Sequence, residues 1–454
     1  MDELKKQCEN KGRVLPSWYK WVIIGLCFIM VMVCLGFCSS PYSWYTNTVL
    51  KHLDLESKAD LYDLNKSIRF ITTAVVNLFF GYLVTKFGTK KLILAGIISL
   101  IISQVCYGTA NNLALIYVAG LFFGLGLAWT TTTIVGYVVN QWDKKNKGTI
   151  MGAVLASNGI GAVIATFTVK PIINDPAPFN YRTAYYTVAI ILAVLFVLIL
   201  LFYKDKKRED GLPAEKPGKK KARGQSWTGI EFNEVIRKPY FYVSLVCIFF
   251  TGMALQSITG IATPHLELSG LSTSRVDVTI VIHSSTLVIF KFLTGFMYDK
   301  IGLRKTTSIC TITGVIVFVL LALVDNSVIG FIFALIYSIF SSLALPLETI
   351  MLPIYANDLF GEKPYSKTLG LIVSVNTAGY AVGAYLAGLC RKLSGGFYTP
   401  VLFIASAMLA VVFILLQFVI TSANKEKKRV AEQEKLSVEE AVIQDGDKVE
   451  TVAN

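Results

Sequence analysis

Long apolar runs alternate with short polar interruptions along almost the whole chain. Each run is close to the roughly 20 residues that cross hydrocarbon as a helix. In the first half they cover Trp21–Ser43, Ser67–Thr85, Leu92–Thr109, Leu113–Val139, Thr149–Val169 and Thr183–Phe202. After a polar gap come Phe241–Thr263, Val276–Tyr298, Thr306–Val324, Val328–Tyr355, Thr368–Gly388 and Pro400–Thr421. The pattern predicts an all-α membrane protein with twelve transmembrane helices in two six-helix halves. The halves are residues 21–202 and 241–421. A segment 1–20 precedes them, a linker 203–240 joins them, and a tail 422–454 follows.

The two halves repeat one another. GYLVTKFGTKK, Gly81 to Lys91, returns in the second half as GFMYDKIGLRK, Gly295 to Lys305. Each closes an apolar run with glycine, a short polar turn, a second glycine (Gly88, Gly302) and basic residues. In the fifth and eleventh runs, Gly152, Asn158 and Gly161 recur as Gly370, Asn376 and Gly379, all at one common offset. Small residues at such spacing let helices approach closely. A buried amide in a membrane helix needs a partner, either a neighbouring helix or a cavity. An internal repeat of this length in so apolar a chain is a transporter signal.

Composition sharpens this reading. Apolar residues make up 54% of the 454 and charged residues 16%, against about 25% charged in soluble domains. The net charge of +13 is not a nucleic-acid footprint, because it gathers on one side of the predicted bundle. Lys86, Lys90, Lys91, Lys144, Lys145, Lys147 and the stretch from Lys204 to Arg223 share that side, whereas Ala110–Asn112 has no basic residue. The positive-inside bias puts both termini and the linker in the cytoplasm of a multi-pass plasma-membrane protein. Trp44–Lys66 is then an external loop. The segment Met1–Lys20 is too polar for a cleaved signal peptide. The charged tail is expected to be disordered or weakly helical. Cys27, Cys34, Cys38, Cys106, Cys247, Cys310 and Cys390 read as packing residues, with no metal-ligand spacing. No HExxH, GxSxG or Walker-type motif occurs, so no enzyme, cofactor or metal site is expected.

Twelve helices, the duplication and the glycine-basic signature after the second and eighth helices resemble the major facilitator superfamily, over about residues 21–421. The segment GFCSSPYSWY at the end of the first helix resembles oxalate/formate antiporters and monocarboxylate porters. So does a cation at Lys291, four residues before Gly295, where those families usually carry Arg. The resemblance implies a conformational latch built on Gly81, Gly88, Gly295, Gly302 and Asp299, with Asp299 meeting the start of the fifth helix near Gly148. A carboxylate favours the unpaired N–H groups of a helix N-terminus. The alternative is a solvated acid paired with Lys300 or Arg304. Thr85 replaces the aspartate in the first half.

Charged and polar residues inside the runs are the candidate chemistry. Lys291 stands eight residues before Asp299, about 12 Å from the helix end. It must face water, an acid or a bound anion. Asn77 occupies the matching place in the first half. Arg69 and His283 form a second matched pair, twelve residues before their signature glycines. Arg69 could attract an anion or sit at the interface, and His283 could carry a proton or only hydrogen-bond. Glu348, between Pro346 and Pro353, is either a coupling acid or a partner for Lys291. Tyr42, Trp129, Tyr337 and Tyr380, with Asn376, complete the candidate cavity wall; aromatic faces pack small substrate bodies, though Trp and Tyr also mark interfaces. Oxalate exchange would call for a cation in the eleventh helix, which has none between Thr368 and Gly388. The first helix lacks Lys, and Leu287 stands where proton-coupled monocarboxylate porters often have Asp.

These readings converge on a secondary active transporter of a small monocarboxylate or related organic anion, working by alternating access as symporter or antiporter. Its expected partners are that anion, a proton or counter-anion, and the lipid bilayer, with no nucleic acid. The expected working unit is a monomer. A carrier of a neutral metabolite or drug, or a non-transporting nutrient receptor, remains the alternative.

Overall fold

A computed structural model describes residues 16, 18–54, 59–143, 145–174, 180–205 and 227–452. Side chains at 42, 43, 47, 59, 60, 63, 174, 256, 257 and 434–452 are excluded from the description. The core of the linker and the first fifteen residues therefore lie outside the described residues.

The described residues form helices and no strand. In the first half α1 is Tyr19–Val31, extended by a π-helical segment Met32–Phe37, and α2 is Tyr42–His52. Then follow α3 Ala59–Leu78, α4 Phe80–Phe87, α5 Thr89–Thr109, α6 Leu113–Thr130, α7 Thr132–Trp142, α8 Lys147–Thr168, α9 Lys170–Asn174 and α10 Asn180–Phe202. A short α11, Phe232–Val235, leads into the second half. There α12 is Pro239–Leu268, α13 Thr273–Ile301, α14 Leu303–Ala322 and α15 Val328–Ala344. A 3-10 turn Leu345–Glu348 precedes α16 Met351–Phe360, then α17 Tyr365–Leu393 and α18 Thr399–Val452. Eleven of the described helices, some running on through a neighbouring segment, are long and apolar enough to span a bilayer. The bent pair Leu64–Leu78 and Phe80–Phe87, at 62°, makes a twelfth.

Burial follows the solvent that each face meets. Ile190, Val194, Leu201, Ile289 and Ile414 are exposed, which suits acyl chains rather than water. Asn77, Lys291, Glu348, Thr368 and Asn376 point inward and are buried. Two segments differ from the sequence reading. Much of the expected loop Trp44–Lys66 is helical, because α2 buries Tyr45, Val49 and Leu50. The last helix continues past Thr421 through the charged tail to Val452. Glu426 anchors that continuation, pairing with Lys238 at 3.1 Å and with Arg429 one turn on.

Candidate functional site

The duplicated glycines act in duplicate. A Cβ on Gly36 would stand 2.5 Å from Gly161 Cα, so α8 packs directly on the π-helical end of the first span. In the second half Gly252 and Gly379 bring α12 and α17 together in the same way, against Asn376 and Phe249. Across the halves, Gly148 and Gly152 of α8 meet Gly295 and Lys291 of α13. Gly370 of α17 meets Asn77 of α3, and Gly81 of α4 meets Lys367. Each contact leaves no room for a side chain, so the small residues set the spacing of the central helices.

The fourth and tenth spans break at matching places, Thr131 and Thr349, separated by the same offset as the repeated glycines. Thr131 has φ −124° and ψ −140°, and Thr349 has φ −122° and ψ −72°. The causes differ. In the first half the hydroxyls of Thr130 and Thr131 donate back to the carbonyls of Gly126 and Leu127 at 2.9 and 2.7 Å, which competes with the helix ladder. In the second half a continuous helix would drive the Pro353 ring into the carbonyl four residues back, that of Thr349, and leave that carbonyl without its N–H partner. Both breaks lie on a central cavity of about 300 Å³ that runs between the halves. Unwound backbone at membrane depth is tolerated where it lines such a cavity.

Lys291 lies on this cavity and is only 6% exposed. Its ammonium donates to Asn158 Oδ1 at 2.8 Å and to the Leu155 carbonyl at 3.4 Å, both in the opposite half. Glu348 lines the same cavity at 4% exposure. No carboxylate among the described residues stands at ion-pair distance from Lys291. Glu348 Oε2 and Asn77 Oδ1 are shielded from water and have no hydrogen-bond partner. Asn77 and Asn376 both line the cavity, and the Asn376 amide also donates to the Ile248 carbonyl at 3.2 Å.

The other candidates sit elsewhere. Arg69 lies 3.7 Å over the Phe123 ring and reaches Ser39 at 3.5 Å, outside the cavity wall. Trp129 packs against the Gly96 helix contact. His283 stacks on Tyr337, with ring centroids 6.2 Å apart, and its Nδ1 lies 3.1 Å from the Ser341 hydroxyl. Neither ring is on the cavity wall. Tyr380 is one step away, edge-on to the cavity residue Phe70 at 4.5 Å. The Tyr42 side chain is outside the described residues.

The halves also meet at the linker end. Asp299 accepts from the backbone N–H groups of Gly148 and Thr149 at 3.1 and 2.7 Å, and from the Thr149 hydroxyl at 2.6 Å. Thr85, its counterpart, instead donates to Gly81 of its own helix at 2.7 Å. Gly88 and Gly302 have φ of 79° and 82°, a region glycine enters freely, and so turn the chain after each signature. Sequence reasoning passed over a second cross-half contact. Lys147, 3% exposed, donates to Asn357 Oδ1 at 2.6 Å and pairs with Asp358 at 3.5 Å. Tyr365 donates to the Gly136 carbonyl at 2.9 Å nearby. The Asn357–Asp358 dipeptide just beyond an apolar run was the available signal. So was the run Thr130–Thr133 for the helix break.

A cavity between two duplicated helical halves, sealed at one end by polar contacts across them, defines a membrane transporter rather than an enzyme. The sequence matches the family described as Major Facilitator Superfamily over residues 32–344 and 245–448, and the chain belongs to that superfamily. It is 24% identical over 415 residues to the sialic acid transporter NanX of Escherichia coli (strain K12), covering 90% of this chain and 93% of that one. It is 23% identical over 373 residues to multidrug resistance protein 2 of Bacillus subtilis (strain 168), covering 80% and 85%. Among solved structures it resembles the E. coli fucose:proton symporter FucP, with a TM-score of 0.68 at 14% identity, covering 88% of this chain and 99% of that one. The proton:xylose symporter XylE gives a TM-score of 0.69 at 11% identity, with 89% and 96% covered. At such identity these structures speak for the fold.

Proposed function

We propose that this transporter moves a small organic anion with one carboxylate across the cytoplasmic membrane by alternating access. The observation that carries the reading is Lys291. It is a buried cation on the cavity wall whose ammonium is held by two neutral oxygens and no carboxylate. A buried ammonium is costly unless it is paired, and a substrate carboxylate supplies that pair. The matching position in the other half is Asn77, so the central cavity offers one cation for one carboxylate. The end of the first helix and the Lys291 position resemble the monocarboxylate porters, which agrees with this. The relative named for sialic acid also carries an acid by name.

The basic residues at the linker end favour a cytoplasmic linker and termini. In that orientation the contacts of Asp299, Lys147 and Tyr365 close the inner side. Glu348 is the coupling candidate, because its unpartnered oxygen can hold a proton without breaking a contact. One copy holds the whole cavity, so a monomer suffices.

A second reading takes the substrate to be a neutral metabolite or drug. The leucines on the wall, among them Leu35, Leu127 and Leu287, and a multidrug relative favour it. Uptake by proteoliposomes separates the two. Labelled formate, lactate, pyruvate and gluconate are offered with and without a pH gradient, beside neutral solutes of equal size. Saturable uptake of an acid that is lost in Lys291→Gln supports the anion reading. Uptake of neutral solutes alone, unaffected by Lys291→Gln, rejects it.

A further inference from the structure

We propose that the cavity is built for a carboxylate bearing several hydroxyl groups, of sugar-acid character, rather than for a plain aliphatic acid. This rests on the anion reading for its charge and adds the chemistry of the substrate body. Of the twenty residues that line the cavity, twelve have polar side chains. The two helix breaks each turn threonines onto it: Thr131, Thr132 and Thr133 from one half and Thr349 from the other. Three side chains of the wall hold a polar atom that has no partner and is shielded from open space: Asn77 Oδ1, Glu348 Oε2 and Thr349 Oγ1. Asn77 and Glu348 are more than nine-tenths buried. They come from opposite halves, and so does the Asn158–Lys291 contact that lies with them on the wall.

Groups of this kind are costly to leave unmade in a water-poor site. A hydrocarbon body offers none of the three a partner when its side chain rotates toward the cavity. A hydroxyl both donates and accepts, so it can answer an amide oxygen, a carboxylate or another hydroxyl after rotation about one side-chain bond. Sites that hydrogen-bond a substrate hydroxyl reject the analogue lacking it far more strongly than apolar pockets reject an extra group. The cavity, at about 300 Å³, lies at the small end of ligand sites, and this favours a compact acid.

A matched six-carbon set tests the proposal on the purified full-length protein, by titration calorimetry in detergent. Gluconate carries the carboxylate and the hydroxyls, hexanoate the carboxylate only, and sorbitol the hydroxyls only. Gluconate is expected to bind at least 100-fold more tightly than hexanoate, and more tightly than sorbitol. Hexanoate binding as tightly as gluconate overturns the hydroxyl inference and leaves the anion reading standing. Sorbitol binding as tightly as gluconate, unchanged in Lys291→Gln, overturns the anion reading itself. Binding of none of the three overturns the sugar-acid assignment. Asn77→Leu and the near-isosteric Thr349→Val are each expected to lower the gluconate-to-hexanoate affinity ratio at least tenfold, with size-exclusion profiles reporting intact fold. A ratio unchanged in both variants also overturns the proposal.

Discussion

The Asp299 carboxylate accepts both the backbone N–H and the hydroxyl of Thr149, at 2.7 and 2.6 Å, across the boundary between the halves. It therefore caps the first turn of α8 from a helix distant in sequence. The helix dipole and the orphan N–H groups favour a full negative charge there. The contact can exist only while the halves are closed at this end.

Asp299→Asn keeps the shape and one acceptor oxygen but removes the charge. A charge–dipole contact of this partly buried kind contributes about 1–2 kcal/mol. Its loss is expected to shift the conformational equilibrium about 5–30-fold away from closure at the linker end. Rates of alkylation of single cysteines placed on each side of the cavity report the shift. Unchanged rates would assign Asp299 to solvent.

The glycine contacts make a packing prediction with a built-in control. A side chain on Gly36 has no space against Gly161, whereas a Cβ added to Gly25 would meet nothing within 4 Å. Gly36→Val is expected to lower the melting temperature sharply, since overpacking costs about 1–3 kcal/mol or more. Gly25→Ala is expected to leave it unchanged or raise it slightly, because alanine is the better helix former. Equal melting curves for Gly36→Val and the parent would contradict the close approach of the first and fifth spans.

The fold was legible because a bilayer demands long apolar helices, and a duplication writes its glycines twice. Lys291 stood out for the same reason, as a charge where hydrocarbon forbids one. Its contact with Asn158 could not be read, because nothing in either helix specifies how the halves are rotated against each other. Arg69 and His283 matched in register, yet the register places a residue at a height and not on a face. Arg69 found Phe123 and His283 found Tyr337. The charged tail read as disordered or weakly helical, because its Glu426 meets Lys238, a residue distant in sequence.

The pairing of Lys147 with Asp358 has a pH signature. Burial pushes the Asp358 carboxyl up, but the charges of Lys147 and Lys427 outweigh it and hold the group below its ordinary value of 3.8. An acid depressed in the closed state stabilises closure above its unpaired value and loses that contribution as pH falls through the depressed one. Closure at the linker end is therefore expected to be constant from about pH 5 to 8 as far as Asp358 is concerned. Asp358→Asn removes the contribution at every pH and leaves Lys147 buried without its acid, at a cost of about 2–5 kcal/mol. Cysteine cross-linking across the linker end, measured against pH, checks both statements. Closure that strengthens as pH falls below about 5 in the parent but not in Asp358→Asn would contradict this sign.

Lys291 and Glu348 supply the decisive comparison. They share a cavity wall without forming an ion pair, and Glu348 Oε2 has no hydrogen-bond partner. If Lys291 serves the substrate, Lys291→Gln should weaken anion binding by about 2–5 kcal/mol, the usual cost of removing one partner of a buried charged contact. Lys291→Arg should be milder, since a guanidinium keeps the charge and offers two donors to a carboxylate. Glu348→Gln should leave anion binding largely intact and flatten the dependence of uptake on a proton gradient. The double variant Lys291→Gln with Glu348→Gln should bind anion no better than Lys291→Gln alone, because the missing group is the substrate's own partner. Recovery of uptake in the double variant would show instead that the two charges serve each other. A lone buried partner is destabilising in a way that a neutral pair is not, and the anion site would then have to be sought elsewhere on the wall.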